Sequence, residues 1–303
     1  MVIKLKNIIQ DFLRYINKER NYSKHTVSAY KRDLFIFLDF LKNNNSGTIY
    51  SVGKISRKII REFMGQEFEK GLSPKTVSRR LASIKSLFNY MVQAEVILDN
   101  PASHISSPKI PKNIPNFVQL NRIEELMEIP DKNTLIGKRD HAILELFYAT
   151  GIRLSELVNL NIGSVNYYEN TILVLGKGSK ERVVPFGNKA MASLEAYLRG
   201  RGFGWNSNPG IPLFSAKKDK RISVRTVQMR ISKYLSNILG TNKGASPHIL
   251  RHTFGTHLLD NDADIRSIQE LLGHSSISST QIYTKVNPKK IKKVYKSAHP
   301  HAT

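Results

Sequence analysis

The carboxyl-terminal two thirds of the chain contain residues suited to attack on a phosphodiester. They are two arginines, two histidines and a tyrosine, namely Arg153, Arg251, His248, His274 and Tyr283. A tyrosine phenol has a pKa near ~10, so it attacks phosphorus at neutral pH only with positive charge and a proton acceptor nearby. Arginine supplies permanent charge and can contact two phosphate oxygens at once. Because no acidic cluster accompanies these residues, they indicate metal-free chemistry with Tyr283 as the nucleophile.

The spacing of the histidines predicts how their side chains are presented. His248 and Arg251 are three residues apart in a predicted helix, so they share one face. That helix opens at Ser246-Pro247, and a helix N-terminus itself favours an anion. Gly273 is expected to cap the end of another helix, so the chain turns there and can present His274 to a cleft. Both histidines are therefore candidates for the site.

A lysine and a glutamate complete the candidate site. Expelling a deoxyribose alkoxide requires a general acid, and Lys177 lies between two glycines at the tip of a predicted hairpin. A Gly-Lys-Gly tip is also an ordinary polar turn, and Lys180 is close to it, so only the companion residues favour Lys177. Glu156, three residues after Arg153, is expected to orient that arginine.

His252 raises the alternative of a metal site. His248 and His252 are four residues apart in a predicted helix and could bind zinc together. However, the residues between them do not form the H-E-x-x-H pattern, and no third ligand stands out in the sequence. We therefore interpret His252 as structural and expect neither a metal nor another cofactor.

The composition favours a polyanionic partner. The chain has 303 residues, of which 40% are hydrophobic, and a formal net charge of +23, which suits two globular domains. Lys and Arg outnumber Asp and Glu by about two to one on both sides of residue 108, so the charge is not confined to a tail. Nucleic acid is the first candidate partner, and solvation of the surface is the alternative explanation of the charge.

Other sequence features indicate a cytoplasmic protein. The chain has no cysteine, which excludes disulfides, thiolate metal sites and cysteine nucleophiles and fits a reducing compartment. No apolar run approaches the ~20 residues that a membrane span needs. The first residues also lack the apolar centre of a signal peptide. We therefore expect no membrane partner.

Hydrophobic periodicity predicts two domains joined by a short linker. Residues 1–105 carry apolar stripes at helical spacing with serine helix openers, which indicates four helices. Residues 106–116 contain three prolines and are predicted to form a basic linker. Residues 117–303 are predicted to be mainly helical, except for two strands at 171–175 and 181–185 on either side of the Lys177 tip.

Together these motifs resemble those of the tyrosine recombinase (phage integrase) family, and specifically its Xer type. The similar segments are Thr150–Leu157 around the first arginine, Gly176–Arg182 around the hairpin lysine, His248–His252 as the H-x-x-R-H box, and Leu271–His274 with Tyr283 as the closing histidine and nucleophile. Residues 19–23 and 29–34 also resemble the opening of Xer proteins. The likeness therefore covers nearly the whole chain, with no substitution at a catalytic position.

The resemblance implies a fold and a mechanism. In the family, a four-helix SAM-like core-binding domain and a mainly α catalytic domain with a small β-sheet form a C-shaped clamp on double-stranded DNA. One strand is cleaved through a 3′-phosphotyrosyl link, and the 5′-hydroxyl of a partner strand then attacks that link, so neither ATP nor metal is needed. A homo- or hetero-tetramer acts on two sites through a Holliday junction. An activating cell-division protein is a further partner that an Xer role would allow.

The resemblance also implies a role for the basic tail. In the family a tail helix packs into a neighbouring protomer, and the segment Pro288–Tyr295 would be that helix here. A solvated basic helix or a phosphate contact is the alternative interpretation of this segment.

The sequence thus predicts a site-specific DNA recombinase that resolves chromosome dimers. An integrase or resolvase of a mobile element would use the same chemistry, although the Xer-like N-terminus and the lack of an added arm-binding domain favour the chromosomal role. A non-catalytic DNA-organising protein would tolerate Tyr283→Phe. A type IB topoisomerase would relax supercoils without a target sequence.

Overall fold

The computed structural model describes residues 5–43, 52–110, 117–176, 181–242, 244–273 and 288–302, with the backbone alone at residues 218 and 288–291. The chain divides into two compact units, Met1–Asn113 and Ile114–Thr303. Each unit has its own hydrophobic core. Among the described residues, no helix is long and apolar enough to cross a membrane.

The amino-terminal unit contains the four helices that the apolar stripes predict. They are α1 (Leu5–Lys18), α2 (Lys24–Asn43), α3 (Arg57–Glu69) and α4 (Pro74–Gln93). The start of α4 follows from its sequence, because Pro74 occupies the first turn and the Ser73 hydroxyl accepts a hydrogen bond from the Thr76 backbone N–H at 3.4 Å. Phe12, Phe63 and Phe88 are fully buried in the centre of the unit. Burial of these stripes holds the bundle together.

Two carboxylates are buried inside this bundle. Asp33 of α2 and Glu67 of α3 are both 0% exposed, and each pairs with an arginine of α4. Asp33 contacts Arg79 and also accepts a hydrogen bond from the Ser83 hydroxyl at 3.0 Å. A buried carboxylate is tolerated only with such partners, so these pairs fix α4 against its two neighbours.

The carboxyl-terminal unit combines helices with a small antiparallel sheet. Its helices are α5 (Leu120–Glu128), α6 (Leu135–Thr150), α7 (Leu154–Asn159), α8 (Asn188–Gly200), α9 (Val224–Leu239), α10 (Pro247–Asp260), α11 (Ile265–Leu272) and α12 (Pro288–Ala298). The strands β1 (Val165–Asn166), β2 (Thr171–Leu175) and β3 (Glu181–Pro185) lie in the order β1-β2-β3. The two predicted strands are confirmed as β2 and β3. The two-residue strand β1 is an addition, too short to leave a periodic signal.

Helix α6 is the central element of this unit, and its carboxyl-terminal end lies next to the candidate site. It packs against α8 and α10, and it ends at Gly151, whose φ of 55° lies in the left-handed region. A Cβ at this position would come within 2.4 Å of the Phe254 ring, so the turn requires glycine on both conformational and steric grounds. Arg153 follows two residues later, at the start of α7.

The basic tail helix α12 packs against its own unit in this single chain. It contacts α10, α11 and β3, and Tyr295 is buried to 1% exposure. His299 and His301, just beyond the helix, are buried beside the Tyr148 ring of α6. One face of the basic tail is therefore apolar and covered, unlike a fully solvated helix.

Candidate active site

Arg153 is held in place by Glu156, as the sequence predicts. The Arg153 backbone N–H donates to Glu156 Oε2 at 2.7 Å, and its Nη1 donates to Glu156 Oε1 at 2.8 Å. Burial by itself raises the pKa of the Glu156 carboxyl, but hydrogen bonds from Arg182 and Arg153 outweigh it and lower that pKa below its usual value. Glu156 is therefore an ionised anchor that fixes the Arg153 guanidinium at the start of α7.

Arg251 reaches the same place from the middle of α10. Its Nη1 donates to the Gly151 carbonyl at 2.5 Å, and its Nη2 donates to the Leu272 carbonyl at 2.6 Å. Arg153 Nη2 donates to the next carbonyl, that of Gly273, at 2.6 Å. The two arginines, 98 positions apart in the sequence, therefore dock on adjacent peptide groups at the end of α11.

The end of α11 is suited to this role. The last carbonyls of a helix lack partners within the helix and carry partial negative charge, so they attract cations. Gly273 adopts a left-handed φ of 65° and terminates the helix as its C-cap, which confirms the prediction for this residue. His274 is the next residue in the sequence after Gly273.

Among the described residues, the side chains of the site carry more positive than negative charge. Arg153, Arg182 and Arg251 converge, and Glu156 forms ion pairs with the first two of them, whereas Arg251 binds backbone carbonyls. Burial, followed by repulsion from Arg153, lowers the pKa of Arg251 to about 10 although Glu156 opposes the shift. A half-buried cluster with excess positive charge is stabilised by an anion, and guanidinium groups are suited to phosphate oxygens.

The remaining predicted residues are placed as follows. His248 is exposed in the first turn of α10, one turn before Arg251 on the same helix. His252 is exposed as well. Lys177, His274 and Tyr283 lie outside the described residues. Within the described parts of the chain, no group of three or more His, Asp or Glu side chains could hold a metal ion.

Arg182 is a member of the cluster that the sequence motifs did not single out. It lies on β3 opposite Val174, which is buried on the inner face of the sheet. A charged residue at an inward position of a strand is unusual unless it is paired, and here its partner is Glu156. The alternation of inward and outward residues along β3 is the signal in the sequence that marks Arg182, whereas the motif around Lys177 indicates only the hairpin tip.

Two family models identify the class of protein. The phage integrase family model matches residues 116–290, and the model for the phage integrase N-terminal SAM-like domain matches residues 9–95. The chain therefore belongs to the phage integrase family, whose tyrosine recombinases cleave and rejoin DNA.

Relatives of the Xer type are similar over almost the whole chain. Tyrosine recombinase XerC of Thermodesulfovibrio yellowstonii is 41% identical over 296 residues, which cover 96% of each chain. Tyrosine recombinase XerD of Oceanobacillus iheyensis is 37% identical over 300 residues, covering 98% of this chain and 100% of its own. The crystal structure of XerH site-specific recombinase bound to palindromic difH substrate, a post-cleavage complex, shares the fold with a TM-score of 0.71 and 22% identity, covering 95% of this chain and 84% of that one.

Proposed function

We propose that this protein is a site-specific tyrosine recombinase that cleaves and rejoins double-stranded DNA through a 3′-phosphotyrosyl intermediate at Tyr283. The observation that carries the proposal is the docking of Arg153 and Arg251 on consecutive carbonyls, at 2.6 Å each, immediately before His274. Two guanidinium groups at one point supply the charge that neutralises the non-bridging oxygens of a phosphodiester in the transition state. The Xer-type relatives support the same reaction.

In the proposed reaction the Tyr283 oxygen bonds to phosphorus while the bond from phosphorus to the 5′ oxygen breaks. Lys177 gives a proton to the departing 5′ oxygen, and a neighbouring base removes the phenol proton, for which His248 and His274 are the candidates. Rejoining runs in the opposite direction, with the 5′-hydroxyl of the partner strand attacking the phosphotyrosyl bond. Each step exchanges one phosphoester for another, as in type IB topoisomerases, so the chemistry needs neither ATP nor a metal ion.

The domain organisation fits a clamp on DNA. In this proposal residues 1–105 form the core-binding domain, residues 106–116 the linker, and residues 117–303 the catalytic domain. Both domains are basic, so each can neutralise phosphates of the duplex. A homo- or hetero-tetramer on two sites would exchange strands through a Holliday junction, with α12 passing to a neighbouring protomer.

We further propose that the substrate is a chromosomal site and that the reaction resolves chromosome dimers in the cytoplasm. The support is the nearly complete coverage of the Xer-type relatives, at 96–100% of their length. An activating cell-division protein is a partner to be tested in this setting. An integrase of a mobile element would instead recombine sites at the ends of that element.

The deciding experiment traps the covalent adduct. The purified protein is incubated with nicked duplexes from candidate chromosomal sites in EDTA, and a denaturing gel then separates the protein–DNA adduct. We expect an adduct with the native protein and none with Tyr283→Phe, while gel shifts show that the variant still binds. Tyr168→Phe is the matched control, because Tyr168 is an exposed tyrosine at 83% and should not affect the adduct.

The same experiment separates the alternatives. Mass spectrometry that placed the DNA on another side chain, or cleavage that required a divalent cation, would overturn the proposal. Unchanged function with Tyr283→Phe would indicate a DNA-organising protein. A topoisomerase would relax supercoils without two paired sites, whereas a recombinase yields a recombinant product from them.

A further inference from the structure

Arg182 is the second arginine, besides Arg153, that forms an ion pair with Glu156. Its Nη1 donates to Glu156 Oε1 at 3.0 Å and its Nη2 donates to Glu156 Oε2 at 2.8 Å, a two-point contact between planar groups. Arg153 donates to the same two oxygens, through Nη1 at 2.8 Å and its backbone N–H at 2.7 Å. One carboxylate is therefore shared by two guanidinium groups.

Arg182 also contacts the end of α11. Its Nε donates to the Leu271 carbonyl at 3.4 Å, a long hydrogen bond. The guanidinium lies so close to Gly273 that a Cβ there would be 3.0–3.1 Å from its atoms. The Arg182 side chain is only 18% exposed, compared with 39% for Arg153. Arg182 is thus packed behind the site, whereas Arg153 is the more open of the two.

The electrostatic consequence follows from the sharing of Glu156. If Glu156 paired with Arg153 alone, the carboxylate would cancel the charge that Arg153 needs in order to attract a phosphate. Arg182 supplies a compensating charge, so the group of three side chains keeps a net charge of about +1. The more exposed guanidinium can then act on an anion while its orientation stays fixed.

We propose that Arg182 is a positioning residue that acts through Glu156 and Arg153 rather than by touching DNA. It compensates the charge of Glu156, keeps that carboxylate aligned with Arg153, and ties strand β3 to the end of α11. This inference rests on the proposed function, because it assumes that Arg153 neutralises the scissile phosphate. It gives a role to a second residue of the segment Gly176–Arg182 besides Lys177, and the effect of Arg182 should depend on the charge of that phosphate.

The test compares an ordinary scissile phosphate with a methylphosphonate, in which a neutral methyl group replaces one charged oxygen. Adduct formation on the nicked site is timed for the native protein and for Arg182→Met. We expect Arg182→Met to slow adduct formation on the phosphodiester by roughly 10–100-fold, and by less than about 3-fold on the methylphosphonate, where less charge needs neutralising. DNA affinity should be unchanged, because Arg182 does not contact DNA in this proposal.

A second pair of variants separates charge compensation from packing. Adding Glu156→Gln to Arg182→Met removes the negative charge that otherwise cancels the charge of Arg153, so the double variant should cleave faster than Arg182→Met alone. Arg221→Met is the matched control, since Arg221 is a partly buried arginine that binds the Val158 and Leu160 carbonyls without contacting Glu156. Its defect, if any, should be equal on the two substrates.

The possible results distinguish a failure of the inference on Arg182 from a failure of the proposed function. An equal slowing of Arg182→Met on both substrates, or native rates on the phosphodiester, would overturn the inference while the native adduct at Tyr283 leaves the proposed function intact. Absence of any adduct with the native protein would instead count against the proposed function. If Arg182→Met does not fold, Arg182→Lys replaces it. That variant keeps the charge but makes only a one-point contact, and it should show a smaller defect with the same dependence on substrate.

Discussion

Acidification should loosen the tail of this protein through a buried histidine. His299 is 4% exposed and lies against the rings of Tyr148 and Tyr295, with ring centroids 4.9 Å away in each case. Its Nδ1 accepts a hydrogen bond from the His301 backbone N–H at 3.0 Å, and its Nε2 is buried without a partner among the described residues. A proton on His299 would therefore be a charge buried almost completely away from water.

The size and sign of the effect follow from the pKa of His299. Burial, and then repulsion from His301, lowers this pKa from 6.5 to about 3 in the docked state. Between these two values the undocked tail binds more protons than the docked tail, so docking weakens as the pH falls. From pH 7.5 to pH 5.5 the loss is about 1.4 kcal/mol, or about tenfold in the opening equilibrium.

Hydrogen exchange of the tail amides measures this equilibrium in the complete protein. After correction for the intrinsic pH dependence of exchange, amides of residues 292–302 should open about tenfold more often at pH 5.5 than at pH 7.5. His299→Phe keeps an aromatic ring but cannot titrate, so most of the difference should disappear. His104→Phe, at an exposed position, is the control and should behave like the native protein. If His299→Phe retained the full pH dependence, the charge on this imidazole would not control docking.

Three further perturbations test the site. Arg153→Ala should slow adduct formation by roughly 10²–10³-fold. Its DNA affinity should stay near the native value in gel shifts at matched salt, because other phosphate contacts dominate binding, and near-native cleavage would remove Arg153 from the site. Lys177→Ala should be rescued by a 5′-bridging phosphorothiolate, whose sulfur leaves without a proton, and failure of this rescue would argue against the general acid. Gly151→Ala should lower the free energy of unfolding by about 1–3 kcal/mol, because the new Cβ meets Phe254 at 2.4 Å, so an unchanged melting temperature would contradict the packing described for this turn.

Local sequence patterns predicted most of the helices and strands, because each pattern depends only on residues that lie within a few turns of one another. The stripes of α1 to α4, the Ser73-Pro74 start of α4 and the glycine end at Gly273 all act through neighbouring residues. Strand β1 was missed because two residues carry no period. The lysines of the tail did not predict that α12 is buried on one face. That face packs through Tyr295 against elements that are distant in the sequence.

Of the arginines that meet in the candidate site, the sequence motifs predicted Arg153 and Arg251 but not Arg182, and they did not predict how these side chains are held. Arg153 and Arg251 belong to motifs, yet the feature that joins them is the row of carbonyls at the end of α11, which no side-chain pattern displays. A helix that ends at Gly273 leaves its last backbone carbonyls without hydrogen-bond donors from the helix itself, but the sequence does not show which side chains supply those donors. Only the fold brings residues from α7, β3 and α10 to that one point.

The sharing of Glu156 by Arg153 and Arg182 affects which ligands the site prefers to bind. The three guanidinium groups of Arg153, Arg182 and Arg251 leave the site with excess positive charge. Burial, followed by repulsion from Arg153, lowers the pKa of Arg251. A phosphate that enters offsets this repulsion through its own attraction to the guanidinium groups. The arrangement therefore favours an anion over a neutral group of the same shape. Because Glu156 holds two of the three arginines through one pair of oxygens, loss of either partner should disturb the other.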